Sequence, residues 1–132
     1  MKISDLYKIF NNHPNVTTDT RNIKENSIFF GLKGDNFNGN KFARKAIKEG
    51  CHYAIIDQAE FQLNEKYILV DDVLKCLQNL ATYHRDQIMI PVIGITGTNG
   101  KTTSKELIYS CLSTELNTLA TDGNYNNPVS YT

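Results

Sequence analysis

The sequence lacks the features that mark several large classes of protein. Its 132 residues contain no apolar run long enough to span a membrane, and its N-terminus turns polar at once, unlike a signal peptide. Its 14 basic and 14 acidic residues cancel, so neither a basic surface for nucleic acid nor an acidic tail is indicated. The 40% hydrophobic and 21% charged content favours a packed globular protein. We therefore expect a cytoplasmic protein that binds no nucleic acid and does not insert into a membrane.

Cysteine is also scarce. Cys51, Cys76 and Cys111 are odd in number and far apart, and their spacing is not that of a zinc site. Each lies among apolar residues, which predicts buried, reduced thiols rather than disulfides.

The strongest pattern that is present lies at residues 92–104, which read VIGITGTNGKTTS. The apolar run 88–95 predicts a strand, and a glycine-rich loop and a helix follow it. Residues 117–121 predict the next strand of the same parallel sheet. One strand–helix–strand unit cannot cover both faces of a parallel sheet, so we expect this domain to be truncated and the chain to be a fragment.

The residue types of this loop suit a nucleoside triphosphate with magnesium. Glycines let backbone N–H groups approach phosphate oxygens, and the following helix adds the positive end of its dipole. The lysine can reach the β- and γ-phosphates, and the next hydroxyl can bind the metal ion. The strict G-x-x-x-x-G-K-[ST] pattern would need glycine at Ile95, so the strand–loop–helix context carries the prediction. The candidate nucleotide-binding residues are Gly97, Thr98, Asn99, Gly100, Lys101, Thr102 and Thr103, with Lys101 and Thr102 as candidate catalytic residues and Thr102 as candidate metal ligand.

The earlier residues predict a separate small α/β domain at 1–86, and 87–132 begin a second domain. The junction is placed at residues 85–87. The predicted elements are a helix at 4–10 capped by Ser4, strands at 28–32, 53–56 and 67–70, a loop at 34–40, a helix from about Lys41 to Gly50 with Phe42 on its apolar face, and a helix capped by Asp71 or Asp72. His84 continues the apolar stripe of that last helix, so we interpret it as structural.

Five motifs follow one another along the chain, at 18–21 (TDTR), 28–34 (IFFGLKG), 38–42 (NGNKF), 97–103 (GTNGKTT) and 121–127 (TDGNYNN). Together they resemble the Mur ligase family, the ATP-dependent amide ligases of bacterial cell-wall synthesis. The resemblance spans essentially the whole chain. Folylpolyglutamate synthases share the glycine-rich loop but usually follow its lysine with Gly-Ser, where this chain has Thr102-Thr103.

The resemblance implies a role for several residues. The first domain would hold the UDP part of the substrate through Thr20, Arg21, Asn40 and Lys41. Asn38 and Asn40 stand where the family usually has Asp and His. The asparagines that would meet substrate and metal are Asn124, Asn126 and Asn127. From the residues alone, residues 19–21 also suit a capped turn with a surface ion pair, and the asparagines suit plain turns.

The resemblance also implies ATP and Mg²⁺ as cofactors and a UDP-N-acetylmuramoyl-peptide and D-Ala-D-Ala as substrates. The whole ligase would be a monomer, and these 132 residues alone would not turn over. Three alternatives stay open: the family member that adds the third amino acid, a small kinase or switch protein, and a non-catalytic module that binds a UDP-sugar or a nucleotide.

Overall fold

A four-stranded parallel sheet forms the centre of the first of two compact units. The computed structural model describes residues 1–21 and 23–121. The first unit comprises Met1–Ile88 and the second begins at Met89. The described strands are β1 (Val16–Thr17), β2 (Ile28–Phe30), β3 (Lys33–Gly34), β4 (Phe37–Asn38), β5 (Tyr53–Ile56) and β6 (Tyr67–Leu69), and the helices are α1 (Ile3–Asn12), α2 (Ala43–Lys48), α3 (Val73–Gln87) and α4 (Lys101–Leu112).

The sheet order is β1-β2-β5-β6, with every neighbouring pair parallel, and β3 and β4 form a separate antiparallel hairpin. The predicted α/β class is therefore confirmed, although the parallel sheet seen here lies in the first unit and the parallel strands predicted at 88–95 and 117–121 belong to the second. Within the described residues, none of the helices has the length and hydrophobicity that a bilayer crossing requires.

Side chains of the central strands alternate between two buried clusters. In β2, Ile28 and Phe30 join a cluster with α1 and α3, whereas Phe29 faces the opposite cluster with α2. In β5, Ile55 faces the first cluster and Ala54 the second. Because successive side chains of a strand point to opposite faces, a strand covered by helices on both sides reads as a continuous apolar run. This is why residues 28–32 and 53–56 could be recognised as strands.

Helix ends depart in part from the predictions. Helix α1 begins at Ile3, after Lys2, without a side-chain cap, so the predicted capping by Ser4 is wrong. The helix instead starts with backbone hydrogen bonds, in which the N–H groups of Asp5 and Leu6 both donate to the Lys2 carbonyl. Helix α3 is capped by Asp72, whose carboxylate accepts from the Lys75 N–H at 2.8 Å. His84 lies in the α1–α3 contact, where its Nδ1 is 3.2 Å from the Tyr7 hydroxyl.

The segment predicted as a loop at 34–40 and a helix from Lys41 folds differently. It forms the β3–β4 hairpin, then a 3-10 turn at Gly39–Phe42, and only then α2. Phe42 therefore does not join the buried face of α2 and is 37% exposed. The physical reason is that the Asn38 side chain caps the 3-10 turn by accepting from the Asn40 N–H, which starts a tighter turn before the helix.

The second unit contains α4, and no strand is found in its described residues, so the strands predicted at 88–95 and 117–121 are not formed there. Strand structure requires hydrogen bonds to a neighbouring strand, and the described residues of this unit pair with none. Several apolar side chains of these segments are exposed, among them Ile93 at 60% and Leu119 at 94%. Cys111 is also exposed, which contradicts its predicted burial, whereas Cys51 is buried and all three cysteines are free thiols.

Candidate functional site

The glycine-rich loop has the backbone geometry that only glycine adopts readily. Gly97 has φ +148° and Gly100 has φ +76° in the left-handed region. Gly100 is the N-cap residue of α4, and its carbonyl accepts from the Ser104 N–H at 2.8 Å. A Cβ at Gly100 would meet no neighbouring atom, so backbone conformation, and not space, explains the glycine there.

The start of α4 carries positive potential from its own backbone and side chains. The first turn carries Lys101 and has no acidic residue, although the helix dipole already makes this end positive. The Lys101 ammonium donates to the Gly97 carbonyl and so folds back over the loop. Thr102 and Thr103 are exposed on the same turn. An anion such as a phosphate group would therefore be stabilised here by the helix dipole, the lysine and the backbone N–H groups of the loop together.

Lys105, one turn further along α4, contacts the last described residue of the chain. Its ammonium donates to the Thr121 carbonyl at 2.6 Å and lies 3.0 Å from the Glu106 carboxylate. This contact ties the helix to the segment that leads toward the asparagine string. The candidate residues Asn124, Asn126 and Asn127 lie outside the described residues.

In the first unit, a cleft of about 400 Å³ lies where β1 ends and the β3–β4 hairpin begins. It is lined by residues 18–21 together with Phe29, Phe37 and Phe42. Loops that leave parallel strands at their carboxyl ends gather at one edge of a sheet, which is where ligands of open α/β sheets bind. The cleft therefore contains Thr20 and Arg21, two of the predicted substrate-binding residues.

Asp19 and Arg21 form the capped turn with an ion pair that the residues alone suggested. The Asp19 carboxylate accepts from the Arg21 backbone N–H at 2.9 Å and from its Nη2 at 2.6 Å. Hydrogen bonds from the Arg21 side chain and backbone lower the pKa of Asp19 to about 2, and the carboxylate raises the pKa of Arg21. The two charges largely neutralise each other, so this side of the cleft carries little net charge.

Asn40 is fully buried, and its amide group is used inside the protein. Its Nδ2 donates to Asn38 Oδ1 at 3.0 Å and to Asp57 Oδ1 at 2.9 Å, and its Oδ1 accepts from the Asp57 N–H at 2.9 Å. Asn38 in turn donates to Gln58 Oε1 at 2.7 Å. This geometry favours a structural role for Asn40 over direct contact with a substrate. Lys41, its neighbour, is exposed but does not line the cleft.

Asp57 is the buried charge of this network. It follows β5, its side chain is only 5% exposed, and its carboxylate lies 3.1 Å from the Lys33 ammonium. Burial pushes the pKa of Asp57 upward, but hydrogen bonds from Asn40 and Lys33 and the charge of Lys33 outweigh burial and hold the pKa below its usual value. The ionised carboxylate therefore holds the hairpin against the carboxyl edge of the sheet.

Sequence reasoning missed three residues at this edge: Asp57 and the aromatic pair Phe37 and Phe42. The two rings stack with centroids 5.4 Å apart and an interplanar angle of 13°. Their contact joins the hairpin to the 3-10 turn, two elements that the predicted loop and helix did not contain. The one signal in the sequence was Phe37, a phenylalanine with an asparagine on each side.

A parallel α/β unit followed by a glycine-rich turn and a helix is typical of α/β proteins that have a phosphate-binding loop. Comparison with protein-family models then finds the Mur ligase family, catalytic domain, over residues 14–85, and the Mur ligase middle domain over residues 95–132. The first match covers more than half of the chain. The chain belongs to the Mur ligase family.

Individual relatives agree with this membership. The chain is 39% identical over 116 residues to the UDP-N-acetylmuramoyl-tripeptide–D-alanyl-D-alanine ligase of Bacillus subtilis, which spans 86% of the chain and 25% of that relative. It is 40% identical over 93 residues to the UDP-N-acetylmuramoyl-L-alanyl-D-glutamate–2,6-diaminopimelate ligase of Fusobacterium nucleatum, spanning 68% of the chain and 19% of the relative.

Among solved structures, the MurF ligase of Thermotoga maritima in complex with ADP superimposes with a TM-score of 0.74 at 28% identity. The match covers 89% of this chain and 28% of that one. The chain thus spans about a quarter of the length of the relatives it matches.

Proposed function

We propose that the protein to which these residues belong is an ATP-dependent amide ligase that joins D-Ala-D-Ala to a UDP-N-acetylmuramoyl tripeptide. The observation that carries the proposal is the Gly97–Lys101 turn at the start of α4, which has left-handed glycine geometry and leads into a helix whose first turn carries Lys101 and no acidic residue. The Bacillus subtilis relative, whose name states this activity, supports the choice of substrates.

ATP fits the described residues of the second unit. Phosphate oxygens would accept from the N–H groups of residues 98–103, and Lys101 would exchange its contact with the Gly97 carbonyl for one with phosphate. A Mg²⁺ ion would be held in part by the Thr102 hydroxyl, which lies on the first turn of α4 next to the proposed phosphate position. Asn124, Asn126 and Asn127 are proposed to complete the site from the segment that follows Thr121.

The UDP-linked substrate is proposed to bind at the first domain, residues 1–86, in the cleft beside Thr20 and Arg21. Lys41 remains a proposed contact for a part of the substrate that extends outside the cleft, because its side chain is exposed. Asn40 is proposed to act indirectly, by fixing the hairpin at the rim of the cleft.

The reaction proposed for the whole protein has two steps. The tripeptide carboxylate attacks the γ-phosphorus of ATP, which gives an acyl phosphate and ADP. The amine of D-Ala-D-Ala then attacks the acyl carbon, releasing phosphate and a proton and forming the amide. Lys101 and the N–H groups of the loop would stabilise the negative charge on the transferring phosphoryl group. The whole protein is proposed to be a monomer, which sedimentation of the purified protein tests. It is also proposed to act in the cytoplasm.

The family member that adds the third amino acid is the second candidate. The 40% identity to the Fusobacterium nucleatum diaminopimelate ligase favours it, although that match covers less of the chain. A ligase assay with the two acceptor amines separates the candidates. A binding module without ligase activity would accept a UDP-sugar and leave both amines unused.

Substituting Lys101→Ala tests whether the two ligands bind at separate places. Removing one charged donor from a phosphate is expected to weaken ATP binding by roughly 10- to 100-fold. Affinity for the UDP-N-acetylmuramoyl tripeptide should not change. Lys48→Ala, which removes an exposed lysine at the end of α2, is the matched control and should alter neither affinity. Unchanged ATP binding in Lys101→Ala, or loss of both ligands, would contradict the proposal.

A further inference from the structure

One face of α4 carries lysines where a helix usually packs apolar side chains. Lys101, Lys105 and Leu112 are the half-buried residues of this helix, and its other side chains are exposed. Residues four positions apart lie one turn apart on the same face of a helix, so the two ammonium groups project from one side. The Lys105 side chain is only 19% exposed, which is unusual for a lysine unless its charge has a partner.

The Lys105 ammonium has a partner that is distant in the sequence. It donates to the Thr121 carbonyl at 2.6 Å, across 16 positions of the chain. It also lies 3.0 Å from the carboxylate of Glu106, but that group is its immediate neighbour and is 61% exposed, so solvent screens the pair. A hydrogen bond from a charged donor is stronger than one between neutral groups, above all where the donor is partly shielded from water. The contact with Thr121 is therefore the one that holds this side chain.

Two lysines on one helix face thus hold two separate stretches of backbone. The Lys101 ammonium donates to the carbonyl of Gly97 in the glycine-rich loop, and Lys105 does the same for Thr121. Because a helix keeps its geometry over one turn, both stretches are fixed relative to the same support. When a phosphate replaces the Gly97 contact, as is proposed for Lys101, the Lys105 contact can stay as it is. Lys105 then keeps the backbone at Thr121 at a fixed distance from the glycine-rich loop while the nucleotide is bound.

Thr121 is followed directly by the segment that carries the three asparagines proposed to complete the site, Asn124, Asn126 and Asn127. Amide oxygens of this kind can bind Mg²⁺ directly or through water. We propose that Lys105 is a positioning residue of the ATP site. Through the Thr121 carbonyl it places these asparagines beside the metal ion and the phosphates, and it does not itself contact the nucleotide. The inference rests on the proposed function, because it takes Mg·ATP as the ligand.

The test measures ATP binding to the 132-residue chain by calorimetry, once with Mg²⁺ and once with EDTA. Lys105→Met removes the charged donor but keeps a side chain of similar length. It should weaken Mg·ATP binding by about 3- to 30-fold, because the asparagines are no longer held at the metal ion. The ATP affinity in EDTA should stay the same, since the glycine-rich loop and Lys101 are unchanged. Lys105→Arg keeps a charged donor and should restore most of the Mg·ATP affinity.

Two further measurements show whether the effect passes through Thr121. The carbonyl carbon resonance of Thr121 should move in Lys105→Met and keep its wild-type position in Glu106→Gln, which removes the exposed carboxylate but leaves the Thr121 contact. Glu106→Gln is therefore the matched control, and it should bind ATP like the wild type with and without Mg²⁺. In a chain whose three asparagines are replaced by alanine, Lys105→Met should cause no further loss of affinity, as expected for a residue that acts only through others.

The outcomes also separate the two proposals. If the wild-type chain does not bind ATP, the proposed function fails and the positioning role fails with it. If it binds Mg·ATP and Lys105→Met binds it as tightly, the positioning role is refuted while the proposed function stands. A loss of affinity that is equally large in EDTA, or that persists in the triple-alanine chain, would also refute the positioning role, because Lys105 would then act on the phosphates or on the helix and not through the asparagines.

Discussion

Asn40→Ala should be among the most damaging single substitutions in the first unit. The change removes one hydrogen bond to the Asp57 carboxylate, one from the Asp57 N–H and one to Asn38. A hydrogen bond to a charged group contributes about 1.5–3 kcal/mol and a neutral one about 0.5–1.5 kcal/mol. The loss should therefore be about 3–5 kcal/mol, because Asp57 stays buried without its amide partner. A small domain has only about 5–15 kcal/mol in total.

Urea titration followed by the amide NMR signals of Ala54 and Ile55 measures this loss. Both residues lie in β5, directly before the network, so the readout reports on the first unit alone. Asn64→Ala is the matched control, since Asn64 is exposed and its side chain accepts only from the Lys66 N–H at 3.0 Å among the described contacts. It should cost less than about 1 kcal/mol. If Asn40→Ala costs no more than Asn64→Ala, the buried network does not hold this edge of the sheet.

Three further predictions follow from the described contacts. Because the pKa of Asp57 and that of Asp19 (about 2) lie below the usual 3.8, the stability that these carboxylates contribute is present above pH 3.8 and is lost as pH falls through the folded-state values. Asp57→Asn should therefore make the loss of stability below pH 3.8 less steep, and an unchanged acid limb would contradict this. Gly100→Ala should destabilise the start of α4 by about 1–2 kcal/mol, seen as faster amide exchange at Ser104, because φ is +76° there; equal exchange rates would refute the strain. Iodoacetamide at neutral pH should label Cys111 well before Cys76, whose thiol pKa burial raises to about 11; equal labelling would contradict the burial.

The elements that the sequence predicts well are those whose pattern is local. Ile28, Phe29 and Phe30 form an apolar run because both faces of β2 are covered, and α3 shows its apolar stripe at Val73, Leu77 and Leu80. The glycine-rich loop was equally readable, since Gly97 and Gly100 are needed by the backbone itself.

The features that were not predicted depend on contacts between distant residues. The resemblance implies Asn40 as a substrate contact, and nothing in its sequence neighbourhood shows that its side chain bonds to Asp57, 17 positions away. Phe42 fits a helical spacing with Ala43 and Ala46, but the cap by Asn38 starts a 3-10 turn that includes Phe42, so α2 begins only at Ala43. The strand predicted at 88–95 is apolar enough, yet a strand also needs a partner, which composition does not reveal.

The central claim is that the two units bind different reactants of one reaction, the UDP-linked substrate at the first unit and ATP at the second. Amide shift mapping of the ¹⁵N-labelled chain tests it most directly, with ADP and Mg²⁺ in one titration and UDP, which lacks the reacting peptide, in the other. The account predicts that ADP shifts Gly97–Thr103 and leaves Thr18–Arg21 unchanged, and that UDP does the reverse. A single ligand that shifts both segments, or a UDP compound that shifts only the glycine-rich loop, would contradict it.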